Sequence, residues 1–166
     1  MSHQNTIILY GCPASLYTGK ARSYLRKAGI PYVERLFSHP EFASKILPAM
    51  GRFVIPVVQT KSDEIIQDTT EIIDFFEGSI PNPFGAYPAG PKQKIIALIL
   101  EMFGDEGLLR AAMHYRWNFP EQNQEFISME FGRNANPAAD NQTARDVAAP
   151  SMQLMSSYLP ALGITD

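Results

Sequence analysis

Cysteine is almost missing from this chain. Cys12 stands alone among 166 residues, so no internal disulfide can close and no thiolate-rich metal site can assemble. That usage fits a reducing, cytoplasmic setting. Histidine is nearly as scarce, and His3, His39 and His114 are too far apart to share the short ligand spacings of a zinc site, so no metal is expected. Long apolar runs are lacking as well: Ile95 to Leu100 is the longest, far short of the roughly 20 residues that span a bilayer. The first residues show no charged segment leading into an apolar one, so neither export nor a membrane partner is expected. Neither sign of charge dominates. Lys and Arg number 14 against 17 Asp and Glu, for a net charge of −3, and the basic residues are scattered, which argues against nucleic acid as a partner.

What is present describes a folded protein. Hydrophobic residues make up 45% and charged residues 19%, enough to build a core. Thr6 to Tyr10 is a short β-rich run ended by Gly11-Cys12-Pro13. From Ser15 the period changes: Tyr17, Ala21, Tyr24, Leu25 and Ala28 fall on one face of a helix stopped at Gly29. Ile30 to Leu36 is extended again, completing a βαβ unit with a right-handed crossover. A weaker helical segment covers His39 to Met50. Val57 to Thr60 and Glu64 to Gln67 then flank the turn Lys61-Ser62-Asp63, and Asp68 to Glu77 forms a helix with an Asp68/Glu71 capping box.

Composition shifts after Glu77. Pro81, Pro83, Pro88 and Pro91, interspersed with Gly85 and Gly90, mark residues 79–91 as a linker between a first domain (1–78) and a second (92–166). Lys92 to Phe103 is apolar on nearly all sides and is expected to be a buried helix. Leu108 to Phe119 and Glu121 to Phe131 continue helically. Arg133 to Ala149 has Val147 as its one large aliphatic side chain and is expected to be mobile. Met152, Met155, Tyr158, Leu159 and Leu162 form a last amphipathic stripe ending at Gly163.

One juxtaposition points to chemistry. Pro56 sits inside the apolar run Phe53 to Val58, where its ring removes a ladder donor, so it marks the start of a strand. With a cis bond before it, Ile55 would turn its backbone N–H and C=O outward, ready to pair with an extended ligand. About a dozen residues on, Asp68-Thr69 opens a helix, and a helix N-terminus attracts carboxylates. Together they suggest a site for a small peptide with a free carboxylate.

Three stretches, in order, resemble the glutathione transferases: SLYTGKARSYLRKAGIPY in the first helix, VIPVV at the proline strand, and IIQDTTEIIDFF, with Asp68-Thr69 where the family has Glu-Ser. The resemblance covers about the first eighty residues. It implies an α/β thioredoxin-like N-terminal domain, βαβ then ββα, followed by an all-α region, here shorter than usual and expected to be incomplete. It implies glutathione as co-substrate, a small apolar electrophile, a homodimer and a detoxifying, cytoplasmic enzyme. Ile55, Pro56, Asp68 and Thr69 would hold the tripeptide. Ser15 occupies the position of the family's catalytic Ser or Cys, where its hydroxyl would lower the thiol pKa. The alternative reading of Ser15 is a helix N-cap. Cys12, in Cys-Pro-Ala-Ser, resembles the Cys-x-x-Ser of monothiol glutaredoxins and would make the protein a thiol-disulfide reductase. Tyr10 is a third candidate for activating the thiol, and with His114 and Trp117 it would also face the second substrate. A non-enzymatic glutathione-binding or regulatory module remains the alternative from another class.

Overall fold

A computed structural model describes residues 6–81 and 85–165. The chain divides into two compact units, Met1–Ala86 and Tyr87–Asp166. Part of the expected linker, residues 82–84, lies outside the described residues.

The first unit is a four-stranded sheet in the order β2-β1-β3-β4, formed by β1 (Ile7–Gly11), β2 (Tyr32–Leu36), β3 (Val57–Gln59) and β4 (Ile65–Gln67). β1 runs parallel to β2, as a βαβ crossover requires, and antiparallel to β3, which is antiparallel to β4. Strand alternation divides the core between two faces. Ile8, Tyr10 and Val57 meet Phe42 and Ile46, which come from a π-helical turn (Phe42–Ile46) leading into α2 (Leu47–Met50). The alternate residues Leu9 and Val58, both fully buried, lie on the side of α1 (Leu16–Lys27) and α3 (Thr69–Ser79). Leu25, Ile72 and Phe76 fill that second layer, each contributing about 1.5–3 kcal/mol by leaving water. Arg22 clamps α1 to β2 with a bidentate pair to Glu34, at 2.8 and 2.6 Å. The thioredoxin-like order expected from the sequence is the one observed.

The second unit is helical: α4 (Pro91–Met102), a π-helical turn (Phe103–Gly107), α5 (Leu108–Trp117), α6 (Pro120–Ala135), α7 (Asn141–Ser156) and a short 3-10 turn (Pro160–Leu162). Two expectations are corrected here. Residues 133–149 are not a mobile segment: they end α6 and form most of α7, which pack closely together. Small side chains make this packing. Gly132 lies so near α7 that a Cβ would come within 2.1 Å of the Ala144 carbonyl oxygen, and Ala144 and Ala148 are buried. Asp140 caps α7 by accepting from the Thr143 N–H at 2.8 Å. The second correction concerns α4. It is helical, but none of its residues is buried, and Ile95, Ile96, Ile99 and Leu100 are each more than half exposed. It packs mainly on the π-turn that follows it, because α6 and α7 are occupied with each other. Among the described residues, no helix is long and apolar enough to cross a membrane.

Candidate functional site

Strand register brings the three suspected segments to one edge of the sheet. Tyr10 pairs with Val57, and Val57 pairs with Gln67, so one row crosses the ends of β1 and β4 and the beginning of β3. The chain leaves that row at three places: Gly11 to Ser15 after β1, Ile55-Pro56 before β3, and Asp68-Thr69 after β4. Both helix starts lie there too, since Ser15 is the N-cap of α1 and Asp68 the N-cap of α3. Two helix N-termini, with their positive dipole ends, at one sheet edge favour a ligand that carries negative charge.

Ser15 is half-buried. Its Oγ accepts from the Thr18 N–H at 3.1 Å, and its backbone N–H reaches the Cys12 carbonyl at 3.3 Å. Both readings of this residue are therefore compatible: the cap uses a lone pair of the hydroxyl, while the O–H hydrogen has no acceptor among the described residues and is available to a ligand sulfur. Gly11 permits this tight passage from strand to helix, because a Cβ there would sit 2.4 Å from Thr18 Cγ2. Cys12 is partly exposed, three residues ahead of the cap, so the start of α1 falls at Ser15 and not at the thiol.

The peptide bond between Ile55 and Pro56 is cis. Among the described residues neither the N–H nor the C=O of Ile55 has a hydrogen-bond partner, while its side chain packs on the cluster around Phe42 and Ile46. On the far side of the row, Asp68 is exposed and Thr69 almost wholly buried. Asp68 Oδ1 accepts from the Thr70 N–H at 2.9 Å. Only this half of the capping box forms, since no bond links the Asp68 N–H to Glu71 among the described residues. The backbone explains it: Asp68 has φ 75° and ψ 141°, a left-handed conformation that glycine adopts far more easily.

A residue to which sequence pattern assigns no role sits next to this cap. With the Gln67 amide oriented so that its oxygen faces the guanidinium, Arg52 donates to it from Nε and Nη2, at 3.0 and 2.7 Å, holding the residue just before Asp68. Its one signal in the sequence is the Gly51-Arg52 step ahead of Pro56. Along the free edge of β4, a groove lined by Met50, Gln67, Phe75 and the carboxylates of Glu64, Glu71 and Asp74 is unsuited to an anion.

Tyr10, expected to activate the thiol or face a second substrate, lies instead in the core of the first unit with no exposed surface. Period-two alternation turns it onto Phe42, ring centroids 5.7 Å apart, and its hydroxyl donates to Glu41 Oε2 at 3.0 Å, with Gln59 Oε1 at 3.1 Å. Burial, with the bond to Glu41, pushes the phenol pKa up. The same bond, helped by Arg35, holds the Glu41 carboxyl below its ordinary value. His114 and Trp117 belong to the other unit. His114 Nδ1 is 3.2 Å from the Asn118 amide and its ring abuts Tyr115 and Phe119. Trp117 packs edge-on against Phe131 with its indole N–H buried and unpartnered among the described residues.

Residues 9–84 match the family profile described as "Glutathione S-transferase, N-terminal domain". The match falls within the first unit and spans a little under half of the chain. No curated protein sequence matches the chain. Among solved structures, a glutathione S-transferase from Methylobacillus flagellatus, determined with GSH bound, superposes with a TM-score of 0.55 at 16% identity, over 90% of this chain and 69% of that one. The beta-etherase LigF from Sphingobium sp. strain SYK-6 gives 0.57 at 16% identity, over 92% of this chain and 62% of its own. FzlA from C. crescentus gives 0.51 at 15%, over 94% and 66%. At these identities the likeness is one of fold, a thioredoxin-like unit followed by helices, and this chain is shorter than each of the three.

Proposed function

We propose that this protein is a glutathione transferase that joins the glutathione thiolate to a small apolar electrophile, acting in the cytoplasm as a homodimer. The observation that carries the reading is the row Tyr10, Val57, Gln67, beyond which the unpaired backbone of Ile55 and the caps of α1 and α3 share one sheet edge. Glutathione is a short extended peptide with two carboxylates, an ammonium and a thiol. Its cysteinyl backbone pairs with the N–H and C=O of Ile55, in the manner of an added strand. Its γ-glutamyl carboxylate takes the Thr69 backbone N–H and hydroxyl at the start of α3, and its ammonium the exposed carboxylate of Asp68. Its sulfur lies at the start of α1, where Ser15 Oγ–H donates to the thiolate. A charge-assisted bond of about 1.5–3 kcal/mol lowers the thiol pKa by about one to two units, enough to populate the nucleophile near neutral pH.

Ser15 is favoured over Cys12 because Ser15, not the cysteine, is the residue at the helix cap. The test is a pair of variants assayed for conjugation of an aryl halide and for reduction of a small glutathione disulfide. Ser15→Ala should lower kcat/KM for conjugation about ten- to a hundredfold and move its pH profile to higher pH, with glutathione affinity little changed. Cys12→Ser should leave conjugation intact. If Ser15→Ala conjugates normally while Cys12→Ser abolishes disulfide reduction, the protein is a thiol reductase instead.

A further inference from the structure

β4 is an outer strand of the sheet, and its backbone faces a groove instead of a neighbouring strand. At its turn the Thr60 N–H donates to the Glu64 carbonyl at 2.9 Å, which makes Thr60 and Glu64 a hydrogen-bonded pair. Bonded and non-bonded pairs alternate along an antiparallel ladder, so Val58 and Ile66 are the next pair to exchange bonds. The N–H and C=O groups of Ile65 and Gln67 therefore point away from β3 into the groove, and they have no partner among the described residues. Such an edge is a template for one more strand.

The two walls of the groove differ. Directly opposed residues share a face of the sheet, so Ile66 lies with Val58 on the α3 side, and period two puts Glu64 there as well. α3 adds Glu71, Asp74 and Phe75 to this wall. Ile65 turns to the opposite face, packed against the cluster around Phe42, where Met50 stands. One wall is acidic and the other apolar. Glu64, Glu71 and Asp74 are exposed, and neither Glu64 nor Glu71 makes an ion pair among the described residues. The groove holds about 460 Å³, within the about 300–1,000 Å³ of clefts that accept small ligands, so the side chains of an added strand can enter it.

Charge decides which strand fits. A second copy paired through the same edge would bring Glu64, Glu71 and Asp74 near their own counterparts, so the edge repels itself. An added strand sends alternate side chains to the two walls. Lysine or arginine at every second position would meet the carboxylates, and the aliphatic residues between them would meet Met50 and Ile65. We propose that the β4 edge binds an extended segment of another protein in which basic and aliphatic residues alternate, running antiparallel to β4. This goes beyond the transferase reading and does not depend on it.

The probe is a short fluorescent peptide of alternating lysine and valine, acetylated and amidated at its ends, titrated with the full chain and read by fluorescence anisotropy. In the antiparallel pairing the valines lie opposite Ile65 and Gln67, so their N–H groups point at β4. Two control peptides follow: one with glutamate in place of lysine, and one N-methylated on the valines, which keeps the charge and removes the donors. The lysine peptide should bind saturably and more weakly as salt rises. The glutamate peptide should not bind, and the N-methylated one should bind at least tenfold more weakly. Glu64→Lys combined with Glu71→Lys should weaken binding at least tenfold while circular dichroism stays unchanged. Equal binding by the N-methylated peptide would overturn the strand pairing, and indifference to the charge reversal would overturn the assignment of the acidic wall. No binding of the lysine peptide at millimolar concentration would overturn the proposal and leave the carboxylates as guards of a bare edge. So would a lysine peptide that binds only when the protein is diluted to monomers, because the edge would then belong to a second copy. Glutathione titration of the same variants is read separately, so none of these results bears on the tripeptide site.

Discussion

At the scale of single residues, Asp68 is where structure and function pull apart. A non-glycine residue at φ 75° costs about 1–3 kcal/mol, and the carboxylate recovers part of that by capping the Thr70 N–H. Glycine would relieve the strain and lose only a few tenths of a kcal/mol of capping. Asp68→Gly is therefore expected to be up to about 1 kcal/mol more stable than wild type, with a Tm about 2–4 °C higher. It should bind glutathione about tenfold more weakly for want of the charge that meets the ammonium. Asp68→Ala keeps the strain and loses the cap, so it should melt below wild type. Thermal melts and titrations of the two variants check this, and a glycine variant no more stable than the alanine one would deny the strain. None of this is visible in the sequence, where Asp68-Thr69-Thr70-Glu71 reads as an ordinary capping box. Tyr10 shows the same gap: a tyrosine closing an apolar strand can face a ligand or the core, and only the pairing of β1 with β3 decides which.

At the scale of elements, legibility follows side-chain size. β1, α1, β2 and α3 announce themselves because Ile, Leu, Tyr and Phe recur at period two or 3.6 and are stopped by Gly29 or begun by Ser15 and Asp68. The end of α6 and the body of α7 meet through Gly132, Ala144 and Ala148, which pattern reading takes for polar surface. Yet this is the closest packing of the second unit. Alanine at 132 would gain about 1 kcal/mol of helix propensity, but its Cβ would meet a backbone oxygen at 2.1 Å, which cannot give way without parting the helices. Gly132→Ala is thus expected to destabilise the helical unit by a net of about 1–2 kcal/mol, an overpacking cost of about 2–3 kcal/mol less the propensity gain, seen as an earlier loss of helical circular dichroism on heating. A neutral or stabilising result would mean that α6 and α7 lie farther apart. The misreading of α4 runs the other way: an all-round apolar helix reads as a buried one, although hydrophobicity specifies that a face needs covering and not that the same chain covers it.

At the scale of the whole molecule, the thioredoxin-like order and the helical continuation are both readable, because three spaced motifs constrain a topology more tightly than any one of them. The candidate site is readable only as three separate segments. Their meeting depends on the register Tyr10, Val57, Gln67: the β3–β4 turn is local, but the pairing of β1 with β3 joins strands far apart in sequence, and local pattern does not encode it. The central claim is that this sheet edge holds glutathione, and isothermal titration of the intact protein with reduced glutathione tests it most directly. The account predicts a saturable heat at one site per chain, abolished by prior saturation with S-alkylated glutathione, and a thermal stabilisation of about 2.7 kcal/mol once ligand reaches a hundredfold excess over Kd. No heat and no shift in Tm at millimolar glutathione would contradict it.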